Sequence, residues 1–207
     1  MGASASVVNS VPSLLGEVGE ARAARSGWSQ TAEFASLILD SGWAWAAAAV
    51  AVGWLVSSGL RPRAGVLVGA LAGCVALVGA TVVYYCGELL FTGDFGWSWV
   101  VRFWLVGSVV LGLPLGAVGA IIRRPGPVGV LAALVVPVGA AVNMVVLPPP
   151  QESPAAGLVL LVVWGAAATA AVLIVVRAIR ARRSDRGCGA VVAAERWQTR
   201  GGVARRS

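Results

Sequence analysis

Apolar residues in this chain come in long blocks separated by short polar breaks, not in the alternating or three-to-four-residue faces of a water-soluble fold. Five blocks read as membrane-crossing helices, at about Trp43–Ser58, Ala64–Cys86, Ser98–Ile122, Val128–Leu147 and Pro154–Ile179. The clearest lies within Ala64–Gly87, which carries no charge. It would be about 35 Å long as a helix, against a hydrocarbon core of ~30 Å. The first block is the shortest, and Trp43, Trp45 and Trp54 near its ends suit the interface where indole rings collect. Ahead of it, Trp28, Ala32, Ala35 and Leu39 fall near one helical face before Asp40, Ser41 and Gly42 interrupt the pattern. A short interfacial helix over 29–39 is therefore expected, not a further span. The predicted fold is an all-α, polytopic helix bundle over 43–179. An N-terminal tail over 1–42 precedes it, and a basic, disordered tail over 180–207 follows it.

Charge gives this arrangement a direction. The connections around 59–63 and 123–127 hold Arg61, Arg63, Arg123 and Arg124, whereas those around 87–97 and 148–153 hold only Glu88, Asp94 and Glu152. Arginine therefore alternates between loops, and the positive-inside rule predicts a cytoplasmic C-terminus and, with five spans, an external N-terminus. Residues 1–27 show no basic stretch followed by an apolar one, so no signal peptide is expected. From Arg177 onward there are nine arginines against two acids, so the whole formal excess of +7 resides in the tail. Attraction to anionic lipid headgroups is the expected consequence, and no nucleic-acid recognition module accompanies the charge.

Composition narrows the chemistry. The chain is 58% hydrophobic and 12% charged, with a mean hydropathy of +0.83. It contains no histidine, and every basic residue is arginine, as in GC-rich bacterial genomes. Histidine-based acid–base or metal chemistry and a lysine Schiff base are thus excluded. Cys74, Cys86 and Cys188 are odd in number and form no C-x-x-C pair, so neither a disulfide framework nor a zinc site is expected. No phosphate-binding glycine loop, G-x-S-x-G motif or pair of intramembrane carboxylates occurs. No enzyme, cofactor or metal is predicted.

Three groups of residues stand out. Gly65, Gly69 and Gly73 recur at every fourth position of the second span, and Gly112, Gly116 and Gly119 give the third span a similar face. Small residues at that spacing let helices approach closely in lipid, either within one chain or between copies. Arg102 lies about one turn inside the third span, where its helical register places it facing the bundle. Glu88 at the outer end of the second span is its expected ion-pair partner. Tyr84, Tyr85 and Asn143 fall at similar depth and complete a candidate outer polar cluster. Pro114 and Pro137 lie near the middle of the third and fourth spans, a feature that transport helices share with ordinary kinked ones.

SGWAW at Ser41–Trp45, GVLVGALAG at Gly65–Gly73, the tyrosine pair before Glu88 and LGLPLGAVGAIIRR at Leu111–Arg124 together resemble a group of small actinobacterial multi-pass membrane proteins. That group is known as a domain of unknown function, so the resemblance implies a membrane bundle and no activity. In its pattern an apolar segment precedes the SGWAW-like stretch, where this chain is polar. The expected protein is a multi-pass bacterial plasma-membrane protein acting through packing, lipid or partner contacts, as a homo-oligomer or with another membrane protein. A small transporter, permease component or accessory subunit is the alternative.

Overall fold

A computed structural model describes residues 27–39, 41–92 and 99–203, without the side chains at 88, 90–92, 182 and 184–203. Six helices follow in order: α1 Gly27–Leu39, α2 Gly42–Val56, α3 Pro62–Thr92, α4 Trp99–Ile121, α5 Pro127–Val146 and α6 Ala156–Val203. Proline opens α3 and α5, where its missing N–H costs no intrahelical bond. The turns ahead of both helices use glycine at positive φ, Gly59 at 75° and Gly126 at 93°. Pro114 and Pro137 lie inside α4 and α5, and both helices run through them as single elements.

The pattern of burial is inverted relative to a soluble protein. Along α3 the buried positions at four-residue intervals are Gly65, Gly69, Gly73, Leu77 and Thr81. The opposite side carries Leu67, Leu71 and Val75, which are 67, 61 and 70% exposed. α4 repeats the arrangement, burying Ser108, Gly112, Gly116 and Gly119 while Val106 and Val110 face outward. In water, leaving that much aliphatic surface exposed would forfeit ~25 cal/mol per Å² of possible burial. In a bilayer the aliphatic face is already solvated, and small residues are what neighbouring helices need.

Among the described residues, four helices are long and apolar enough to cross a membrane: 62–87 of α3, α4, α5 and 156–181 of α6. The first expected span is different. α2 has 15 residues, about 22 Å at ~1.5 Å per residue, which is short of the ~30 Å core. It amounts to a fifth crossing only together with α1, which meets it at 58°. The expected interfacial helix and first span correspond to α1 and α2, and the count of long apolar segments is four, or five if the two are taken together. α6 also departs from expectation, since helix continues past 179 through the arginine-rich stretch to Val203.

α4 is the hub of one packed group, lying against both α3 and α2, while α5 and α6 form a second pair. α1 rests on that pair. Phe34 and Leu37 of α1, with Trp43 of α2, pack against a cluster of Ala140, Met144, Val159, Val163 and Ala167. Val159 and Val163 recur at i and i+4 on α6, the spacing that makes one helical stripe.

Candidate functional site

Helices α2, α3 and α4 meet closely at Gly116. A Cβ placed on Gly73 would stand 2.6 Å from the Gly116 Cα and 2.7 Å from the Gly112 carbonyl oxygen. One on Gly112 would stand 2.7 Å from the Cys74 Cα, and one on Gly69 would stand 2.9 Å from the Gly116 carbonyl oxygen. Gly53 of α2 meets the same residue from the third helix, its Cβ position falling on the Gly116 carbonyl. At these positions backbone opposes backbone, so no side chain can swing away to make room. Gly65 is unlike its two neighbours. Its Cβ position meets Ser57 Cβ at 3.6 Å and Leu60 Cβ at 3.7 Å, ordinary contact distances. Gly119 turns from α3 to α2, abutting the Val50 carbonyl and the Trp54 amide nitrogen.

Further along the same seam, the Thr81 and Ser108 hydroxyls are 2.7 Å apart and buried. Ser108 Oγ also lies 2.8 Å from the Trp104 carbonyl oxygen and donates to it, so Thr81 is the donor in the interhelical bond. The sequence reading passed over this pair and over Gly53. Thr81 and Ser108 did carry a signal, because each continues the four-residue register of the glycines on its own helix. We expect a double-mutant cycle of Thr81→Val and Ser108→Ala to return a coupling of about 0.6 kcal/mol in detergent unfolding, typical of interhelical hydrogen bonds in membranes. A coupling of zero would remove this bond from the account.

The Gly119 contact has a consequence one turn later. Bringing α4 onto Trp54 places Arg123 beside the C-terminus of α2, where the last carbonyls of a helix lack partners. Arg123 Nε donates to the Trp54 carbonyl oxygen at 2.9 Å, and its Nη2 donates to Ser58 Oγ at 2.6 Å. Its guanidinium carbon lies 4.6 Å from the centroid of the Trp54 ring, a cation–π distance. Arg124 Nη2 reaches the Pro62 carbonyl oxygen at 3.5 Å. The loops holding Arg61–Arg63 and Arg123–Arg124 therefore meet at one end of the bundle.

At the other end, the candidate polar residues gather around the first turn of α2. Tyr84 meets Trp45 edge-on with ring centroids 6.5 Å apart, and Tyr85 meets Tyr84 at 5.3 Å. Asn143 approaches from α5, its Oδ1 3.5 Å from the Cβ position of Gly42. Arg102 is exposed, contrary to the expectation that it faces the bundle; its register also holds the outward-facing Val106 and Val109. The carboxylate of Glu88 lies outside the described residues, and so does the expected ion pair. Cys74 and Cys86 are free thiols. Among the described residues, no group of three His, Cys, Asp or Glu side chains could hold a metal ion.

Compared with protein families, curated proteins and solved structures, the chain matches none. The resemblance carried by SGWAW and the glycine-rich spans therefore contributes no family and no residue role. The described residues form an all-α bundle with four to five long apolar helices, consistent with a polytopic membrane protein.

Proposed function

We propose that this chain is a non-catalytic integral protein of a bacterial plasma membrane, acting through its packed helices and through contacts with lipid or a membrane partner. The observation that carries this reading is the node at Gly116. Three helices close there with backbone against backbone, leaving no room for a methyl group, let alone a solute, along their common axis. The orientation we propose has the N-terminus outside and the C-terminus in the cytoplasm. The meeting of two arginine-bearing loops at one end supports it, because the cytoplasmic side holds the excess of arginine.

One feature favours the transport reading instead. The 58° break between α1 and α2 lies next to Asn143, and broken helices beside polar side chains line many transport sites. Cys74 distinguishes the two readings. It adjoins Gly112 in the node, and a thiol reacts with a water-soluble maleimide only where water reaches it. We expect Cys74 to resist labelling in intact membranes and to label once the protein is unfolded in detergent. Rapid labelling of Cys74 in the native membrane would reveal a hydrated path through the node and favour transport.

A further inference from the structure

Four arginines stand on two loops, distant in sequence, that meet at the end of α2–α4, and they do not behave alike. Arg123 is committed to Trp54 and Ser58. Arg124 reaches the carbonyl of Pro62, the residue that Arg61 and Arg63 flank in sequence. Arg61, Arg63 and Arg124 are all exposed. Among the described residues, none of the four has a carboxylate partner. The two acids with described side chains, Glu33 and Glu152, belong to α1 and to the loop after α5, away from this end. Three like charges on adjoining loops favour a counter-charge from elsewhere.

Their depth says which one. The apolar window of α3 begins at Pro62, that of α4 ends at Ile121 and that of α5 begins at Pro127. The arginines therefore stand where hydrocarbon gives way to headgroups, at the level of lipid phosphates. Guanidinium binds phosphate oxygens through paired N–H donors, and polybasic groups at this level attract anionic lipid. We propose that Arg61, Arg63 and Arg124 form a headgroup site for one anionic phospholipid, with Arg123 bracing the two loops that present them. This deepens the lipid-contact reading given above, and it is separate from the attraction of the arginine-rich tail.

The test uses the full chain in zwitterionic nanodiscs, with phosphatidylglycerol added stepwise and bound lipid counted by native mass spectrometry. Wild-type protein is expected to retain phosphatidylglycerol over phosphatidylcholine and to gain thermal stability from it. The variant carrying Arg61→Gln, Arg63→Gln and Arg124→Gln is expected to bind it at least tenfold more weakly. Its melting temperature without anionic lipid should stay close to wild type, which shows that it is folded; if it is not, the three single variants replace it, each expected to bind more weakly. A tail variant carrying Arg182→Gln, Arg183→Gln and Arg186→Gln should keep the site. Equal retention of both lipids, equal binding by the loop and tail variants, or the same stabilisation by inorganic phosphate alone would each overturn the proposal. Such a failure would leave the Cys74 result unaffected, so it can be told apart from failure of the packing reading.

Discussion

Replacing Gly116 with alanine is expected to destabilise the bundle by about 3 kcal/mol, the upper part of the usual range for overpacking. The added methyl would point at the Gly69 carbonyl and stand 2.9 Å from the Gly73 Cα. Both are backbone atoms of α3, so relief requires moving a whole helix and not one rotamer. Gly53 of α2 abuts the carbonyl of Gly116 itself, which blocks the other direction of escape. Gly107→Ala is the matched control, because nothing lies within 4 Å of its Cβ position. That variant should stay within about 0.5 kcal/mol of wild type. Unfolding of the purified protein in mixed micelles measures both. Similar losses in the two variants would mean that the close approach at Gly116 is not what holds α2, α3 and α4 together. Gly53→Ala should also destabilise, but the double variant should cost less than the sum, since both methyls displace the same residue of α4 and share part of the strain.

Arg123→Gln is expected to cost about 1–2 kcal/mol. The substitution removes two charge-assisted hydrogen bonds and a ring contact, and it uncovers the Trp54 carbonyl at the end of α2. Charge-assisted bonds are worth about 1.5–3 kcal/mol each when sheltered, and the exposure of this site lowers that figure. Arg123→Lys keeps the charge but not the planar fork that serves two acceptors at once, so it should recover only part of the loss. Full recovery by lysine would reduce the clamp to a simple charge at a helix C-terminus. The same unfolding assay measures it, and Arg61→Gln serves as the comparison, being exposed and outside the clamp.

How much of this was legible in the sequence depended on whether the information was local. The four long spans were, because a run of uncharged apolar residues identifies itself without reference to its neighbours. The relation of α1 to α2, which meet at 58°, was not. Hydropathy registers the interruption at Asp40–Gly42 but says nothing of whether the flanking helices continue one path. Glycine spacing marked a face on α3 and on α4, yet Gly65 is indistinguishable in sequence from Gly69 and Gly73 and, unlike them, makes only ordinary contacts in the fold. Gly53 stands alone in an alanine-rich run with no spacing to mark it, and only the approach of α2 to α4 makes it critical. Arg123 was readable as a sign of orientation, since that depends on charge alone. Its hydrogen bonds to α2 depend on the contact at Gly119, which is tertiary. The inverted burial pattern, with glycine and threonine inside and leucine and valine outside, also becomes visible only once the helices are assembled.

Side-selective labelling tests the central claim most directly. In a background lacking native cysteine, Glu152→Cys and Arg61→Cys would be treated in intact cells with a membrane-impermeant maleimide, then again after permeabilisation. A bundle with its arginine-bearing loops in the cytoplasm predicts that position 152 labels from outside and position 61 only after permeabilisation. Labelling of position 61 from outside, with position 152 protected, would reverse the orientation, and labelling of both from outside would contradict a membrane-spanning bundle altogether.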